Sequence, residues 1–279
     1  MQIVIDYTPA VAQAAGIGRY ARELIAALAR ADRANRYTLF SAQEIEPGNP
    51  VVAALPLARN VDLRVVPVGE RCLVRVWHRL RLPLPAELLT GPAQIFHALD
   101  FTLPPTRMRR VVTIHDLAFL THPQCATPAL AAYLRRAVPR AARAADMIIT
   151  VSEHTRGVLL RWLPDLKPAR VVTIPLGVSA PFAPCTDLAR KRALTARLGL
   201  ASPFILAVGT LEPRKNYPNL IRAFAQARRM PGGPRQLVIA GRRGWRDAPV
   251  DATIAELGLG DAVRIVATLD DADLAALYT

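Results

Sequence analysis

Lysine is nearly absent from this chain: Lys167, Lys191 and Lys215 are the only lysines among 36 basic residues. The rest are arginines, spread along the whole length rather than gathered in a tail. With 22 acidic residues they leave a formal charge of +14. That spread argues against a nucleic-acid-binding arm. The arginine- and alanine-rich balance reads first as a coding bias, with an anionic partner such as a nucleotide, a lipid headgroup or a membrane surface left open. Cysteine is scarce too. Cys72, Cys125 and Cys185 lie far apart, match no metal or redox spacing, and fit a reducing compartment. No apolar run approaches the roughly 18 residues that span a bilayer, and MQIVIDYTPA enters a strand without the basic and apolar regions of a signal peptide. The expected location is cytoplasmic, with peripheral contact on the inner face of the membrane open. No internal repeat, Ser-His-Asp set or metal-ligand spacing is present.

What is present is ample apolar residue, 52% of the chain at a mean hydropathy of +0.20, enough for true cores. Strands are expected at Gln2–Asp6, Tyr37–Ser41, Val61–Val68, Gln94–His97, Val111–Ile114, Met147–Val151 and Val171–Ile174, with helices between them. Alternating strands and helices predict an α/β fold with parallel sheets covered on both faces. Pro175–Asp187, PLGVSAPFAPCTD, breaks the pattern and reads as a linker. The alternation then restarts with helix Leu188–Leu198, strand Phe204–Val208, helix Tyr217–Arg229 and strand Gln236–Ala240. A helix near Val250–Leu257, strand Val263–Val266 and helix Asp271–Tyr278 complete it. Two doubly wound, Rossmann-like domains follow, 1–178 and 179–279.

In such sheets ligands lie beyond the carboxyl ends of the strands. Three loops there carry unusual chemistry: Ala15–Arg19, His115–Asp116 and Gly209–Asn216, which a cleft between the domains would bring together. The stretch AVGTLEPRKNYPNLIRAF, Ala207–Phe224, joins a buried strand to a helix N-terminus through a loop holding Arg214 and Lys215. Free backbone amides, the helix dipole and two cations make it a natural phosphate or diphosphate site. GIGRYA, Gly16–Ala21, matches a dinucleotide fingerprint, but about nine residues separate it from the end of the first strand, and Glu44 lies beyond the second. A glycine loop admitting a ligand, or a plain structural turn, fits better. His97 and Asp100 form a secondary cluster in which a structural role is the commoner outcome. Ser152 reads as a helix cap. Arg71–Leu82, RCLVRVWHRLRL, predicts a helix with Arg71, Arg75 and Arg79 on one face and Leu73, Val76, Trp77 and Leu80 on the other. It is either an ordinary half-solvated helix or one lying in a membrane interface.

VGTLEPRKNYPNLIRAF, with TIHDLAF, TVSEHTRGVL, VVTIPLGV and LVIAGRRGW in the same order, strongly resembles family-4 glycosyltransferases of the GT-B fold. That group includes bacterial mannosyl- and glucosyltransferases of surface polysaccharides. The resemblance covers nearly the whole chain. It implies a first domain taking the acceptor and a second taking a nucleotide sugar, with hexose transfer at retained anomeric configuration. No metal and no cofactor are expected. By position, Lys215 and Arg214 would contact the donor diphosphate beside Gly209 and Thr210. Thr210 stands where the family often has arginine, and Arg214 is the residue that could compensate. His115, with Asp116, would serve the transferred sugar as the catalytic pair, and Gly16 and Gly18 would line the cleft near the phosphates. The donor is taken as GDP-mannose and the acceptor as a saccharide or lipid-linked saccharide; no nucleic acid is expected. Fixed cations stabilise the leaving diphosphate, so the absence of paired carboxylates is no obstacle, as it would be for a glycosidase.

The resemblance also implies a pair of glutamates in an acidic motif soon after DLAALY, and Thr279 is reached first. The second domain is therefore expected to be incomplete, and this form to have little or no transfer activity. Alternatives are a non-catalytic acceptor-binding half that needs a partner chain, or a GT-B nucleotide-sugar epimerase.

Overall fold

A computed structural model describes residues 1–13, 16–43, 59–180, 182–267 and 269–279. Ala15, Glu44 and Pro181, each within or beside a sequence motif named above, lie outside them. The chain separates into two compact units, Met1–Gly177 and Val178–Thr279.

The first unit is built on seven parallel strands: β1 (Gln2–Asp6), β2 (Arg36–Ser41), β3 (Val61–Val65), β4 (Ile95–Ala98), β5 (Arg109–Ile114), β6 (Met147–Thr150) and β7 (Val171–Thr173). Their order is β3-β2-β1-β4-β5-β6-β7. Successive side chains leave a strand on opposite faces, and here each face has its own core. Val4, Phe40, Phe96, Val112 and Ile148 pack with Leu134 and Val138 of the helix Pro128–Ala144. Ile5 and Leu39 pack on the other side with Ala21 and Ile25 of the helix Ile17–Ala31. The strand order reverses between β1 and β4, so a crevice at their carboxyl ends is dictated by connectivity.

The second unit has three parallel strands in the order β10-β9-β8: β8 (Phe204–Val208), β9 (Gln236–Ala240) and β10 (Val263–Val266). Tyr217, Ile221 and Phe224 of the helix Tyr217–Ala227 cover Leu237 and Ile239. Leu194 of the helix Leu188–Leu198 packs on the other face with Ala276 and Leu277 of the helix Asp271–Leu277. The chain is α/β throughout, with a smaller second sheet.

Within the connection after Asp6, Thr8–Ala12 forms a short helix with Pro9 in its first turn. Two local expectations are corrected. The third strand stops at Val65, three residues early, where its pairing with β2 runs out at Ser41. Arg71–Leu82 is not one amphipathic α-helix: Glu70–Leu73 is α-helical and Val74–Arg79 widens to a π-helix. Leu80 bonds to the Arg75 carbonyl five residues back, Arg81 turns left-handed at φ 57°, and Pro83 and Pro85 forbid continuation. The wider turn buries Leu73 and Trp77 but leaves Leu80 61% exposed, off the apolar face that a 3.6-residue period assigns to it.

Candidate functional site

The crevice residues of the first unit follow from where the strands end. His115 is the first residue past β5. Its Nε2 lies 2.8 Å from the Leu99 carbonyl, so Nε2 carries the proton and Nδ1 is left as an acceptor. The Tyr20 ring meets the imidazole edge-on at 4.8 Å and Phe101 does so at 6.3 Å. Burial holds the His115 pKa below the ordinary histidine value, against the opposing pull of the Leu99 bond and the Asp116 charge. Burial therefore favours the neutral ring. Asp116 plays a different part. Its Oδ1 accepts the Ala118 amide at 2.9 Å, starting the short helix Ala118–Thr121. It acts on His115 through its charge and by shaping the turn.

At the carboxyl ends of β1 and β4 sit Asp6 and Asp100, a pairing that local sequence pattern does not reveal. Asp100 follows β4 in a kinked loop where Phe101 is left-handed at φ 46°. Its Oδ1 is fully covered and has no hydrogen-bond partner among the described residues. Burial, then the neighbouring Asp6, push its pKa up to about 7, although a hydrogen bond from the Gln13 side chain pulls the other way. Asp6 is pushed up to about 6, mainly by burial, with its Oδ1 held by the Thr8 amide at 3.0 Å. A like charge kept from water raises a carboxyl's pKa, as Asp6 does for Asp100 and Glu70 for Asp6, and such groups gather at functional sites. His97 proves structural: its Nε2 is 2.9 Å from Thr113 Oγ1, and burial takes its pKa down to about 4. Ser152 caps Glu153–Trp162 through the Thr155 amide at 3.1 Å.

The two glycines of GIGRYA separate. Gly16 caps the helix Ile17–Ala31 at φ 50°, ψ −107°, with nothing among the described residues within 4 Å of where a Cβ would stand, so it can admit a ligand. Gly18 cannot, because a Cβ there would lie 1.8 Å from the Gln13 carbonyl oxygen and 2.8 Å from that of Pro9. Its lack of a side chain serves helix packing and lines no open space, which corrects its assignment to the cleft.

In the second unit, β8 and β9 end in glycines that touch. A Cβ on Gly241 would lie 1.9 Å from the Gly209 carbonyl oxygen, and the Gly209 amide bonds the Ala240 carbonyl at 3.0 Å. Gly209 has φ +146°, and Lys215 Cε passes 3.1 Å from its missing Cβ. Tyr217 locks the turn by donating its hydroxyl to the Gly209 carbonyl at 2.8 Å. Pro213–Lys215 forms a single 3-10 turn, and Asn216, left-handed at φ 54°, starts the helix without a side-chain cap. Lys215 is exposed, with no carboxylate at ion-pair distance among the described residues. Arg214 is not comparable. Its Nη2 and Nε lie 2.9 and 3.2 Å from Glu212 Oε1, so its charge is largely answered, which weakens its assignment as a diphosphate ligand. Thr210 makes methyl contact with the neighbouring loop, its Cγ2 standing 2.8 Å from where a Gly244 Cβ would be. Arg242, overlooked in the sequence, lies on that loop: its carbonyl accepts the Leu211 amide at 2.9 Å, and its exposed side chain has no carboxylate partner among the described residues. The adjacent Arg243 is tied to Asp247 and Asp251. The signal in sequence was only its position beside Gly241 at the end of β9. Among the described residues no group of three His, Cys, Asp or Glu could hold a metal ion.

With this geometry in place, comparison with known proteins is decisive. The model of Glycosyltransferase Family 4 matches residues 14–180, and that of Glycosyl transferases group 1 matches residues 196–279. The chain belongs to glycosyltransferase family 4. It is a glycosyltransferase. The O-antigen chain mannosyltransferase B of Escherichia coli is 27% identical over 296 residues, covering all of this chain and 74% of the relative. Among solved structures, the sucrose-phosphate synthase of Thermosynechococcus elongatus matches with a TM-score of 0.68 at 19% identity, over 100% of this chain and 73% of that one. WaaG, a glycosyltransferase involved in lipopolysaccharide biosynthesis, matches with a TM-score of 0.66 at 14% identity, over 99% and 72%. HepE of Anabaena, in complex with UDP-glucose, gives 0.63 at 18% identity, over 99% and 70%. At these identities the structures speak to the fold, which is GT-B. No described helix of the glycosyltransferase is long and apolar enough to cross a membrane.

Proposed function

We propose that this glycosyltransferase moves mannose from GDP-mannose to a saccharide or lipid-linked saccharide acceptor, with retention of anomeric configuration, on the cytoplasmic side of the membrane. The carrying observation is Lys215, which lies across Gly209 at the carboxyl end of β8 and has no carboxylate at ion-pair distance among the described residues. Bond breaking between sugar and phosphate puts negative charge on the departing diphosphate. A fixed ammonium and the start of the helix Tyr217–Ala227 favour that charge most in the transition state. Arg242 takes the place of the second phosphate cation that Thr210 cannot supply, and Arg214 contributes little because of Glu212. This arrangement supplies the stabilising charge without a metal ion. In the first unit His115, neutral and accepting at Nδ1, receives a sugar hydroxyl. Asp100 and Asp6 bind acceptor hydroxyls, for which a carboxyl near its pKa can both donate and accept. The departing phosphate takes the acceptor proton. The mannosyltransferase likeness supports the choice of sugar; UDP-sugars are the competing donors.

The test is titration of the chain with GDP, GDP-mannose and UDP-glucose in the presence of EDTA. Tighter binding of the guanine nucleotides, weakened about a hundredfold by Lys215→Gln and about tenfold by Arg242→Gln, is expected. Failure of every nucleotide to bind overturns the proposal. Preference for UDP-glucose overturns the donor assignment, and anomeric proton couplings in the product decide retention.

A further inference from the structure

Thr113 is the odd residue of β5. It stands in the apolar run VVTI and is wholly buried, where a valine would fill the same space. A hydroxyl there costs free energy unless it is hydrogen-bonded. Two side chains answer it. His97 Nε2, from the neighbouring strand β4, lies 2.9 Å from Thr113 Oγ1. The Tyr20 hydroxyl, from the helix Ile17–Ala31, lies 3.4 Å from the same oxygen. With its pKa down at about 4 the His97 ring is neutral, so Nε2 can accept the Thr113 proton while Thr113 accepts that of Tyr20. Burial pushes the Tyr20 hydroxyl pKa up, against the pull of the Thr113 bond, so Tyr20 keeps its proton to donate.

The same residue holds a second ring, because the Phe101 amide donates to the Thr113 carbonyl at 3.3 Å. Tyr20 and Phe101 are the rings that meet the His115 imidazole, at 4.8 and 6.3 Å and with interplanar angles of 82° and 75°. Thr113 thus places one through its side chain and the other through its main chain. The rest of His115 is fixed by hydrogen bonds: Nε2 on the Leu99 carbonyl at 2.8 Å, and its own carbonyl accepting the Thr155 hydroxyl at 3.2 Å. One bond at Nε2 leaves the imidazole free to turn about it, and ring contacts near right angles remove that freedom. Tyr20 also reaches the start of its helix, where its amide donates to the Gly16 carbonyl at 2.9 Å. The open glycine and His115 are therefore set against each other through one residue.

We propose that Tyr20 and Thr113 are positioning residues of sugar transfer, holding the His115 imidazole in the orientation that presents Nδ1 as the acceptor for a sugar hydroxyl and setting it against the glycine loop. Each acts through His115 rather than on the sugar. The inference rests on the role given to His115 under the proposed function.

Imidazole nitrogen NMR and kinetics test it together. With histidine labelled by nitrogen-15, the His115 signals are identified by their loss in His115→Asn, and those of His78, His97, His122 and His154 report whether the fold is kept. In the wild type, His115 should show one protonated nitrogen, Nε2, and one bare nitrogen, Nδ1. In Tyr20→Leu the two signals should approach each other as the ring turns and its tautomers mix, and kcat should fall about tenfold. Thr113→Val and Tyr20→Phe keep the packing and cut the same link. Each should cost about threefold, and the pair together no more than either alone. In the His115→Asn background Tyr20→Leu should cost less than about twofold, because no imidazole is left to position. A merely structural tyrosine would cost the same in both backgrounds. Unmoved His115 signals in Tyr20→Leu, or equal costs in the two backgrounds, overturn the inference, while a slow His115→Asn enzyme leaves the reading of His115 standing. Wild-type turnover in His115→Asn overturns that reading, and the inference with it.

Discussion

Replacing Asp100 by asparagine should make the protein more stable and the enzyme worse. The carboxyl is covered, its Oδ1 has no hydrogen-bond partner among the described residues, and burial followed by the charge of Asp6 raises its pKa from 3.8 to about 7. A raised folded pKa means that the folded state holds the proton more tightly than the unfolded chain does. That advantage is fully present below about pH 4 and is lost as pH rises through 7. At pH 8 the folded protein therefore carries an ionised carboxylate in a place that disfavours it. About three pH units at 1.36 kcal/mol each set a ceiling of about 4 kcal/mol, part of which depends on the charge of Asp6. Asp100→Asn has nearly the same shape and no charge. We expect a gain on the order of 2–4 kcal/mol in the urea unfolding of the first unit at pH 8 and almost none at pH 4. Acceptor-dependent turnover should fall, and the inflection near pH 7 in the rate profile should vanish. An equal gain at both pH values would attribute the effect to packing, and no gain at pH 8 would refute the account of a covered, strained carboxylate.

Lys215→Gln should cost about a hundredfold in donor-dependent turnover while Arg214→Gln costs only a few-fold, because Glu212 already answers the arginine; side-by-side kinetics decide. Gly241→Ala should destabilise the second unit by about 3 kcal/mol or more, since its Cβ would meet the Gly209 carbonyl oxygen at 1.9 Å. Urea titration measures it. Tyr217→Phe, losing the hydroxyl bond to the Gly209 carbonyl, should cost about 1 kcal/mol and raise the KM for donor more than it lowers kcat. His115→Asn should slow transfer, and any inflection in the wild-type rate profile that this variant removes should lie below the ordinary histidine value, because burial lowers the His115 pKa; kcat measured against pH checks it.

Sequence alone determined the repeating unit of this protein. Apolar runs such as VVTI and FILAV, set between periodic helices, force parallel strands covered on both faces. The loop GTLEPRKN pointed to an anion site, because a helix N-terminus with two cations beside it favours negative charge. Which cation is free was not legible, because that depends on Glu212 turning back onto Arg214, on Arg242 arriving from the next strand, and on Lys215 crossing Gly209. The same holds for Gly16 and Gly18, alike in sequence, one open and one pressed against Gln13. Asp6 and Asp100 lie 94 residues apart in the chain; only the strand order, which places β1 beside β4, makes them neighbours, and burial at those strand ends raises both pKa values. The amphipathic period of Arg71–Leu82 assumed 3.6 residues per turn, and a π-helix leading into two prolines moved Leu80 from the core to the surface. Local pattern determines secondary structure and the residue types a site can draw on. Burial, pairing and charge compensation are properties of the assembled sheet, and they decided which of those residues can act.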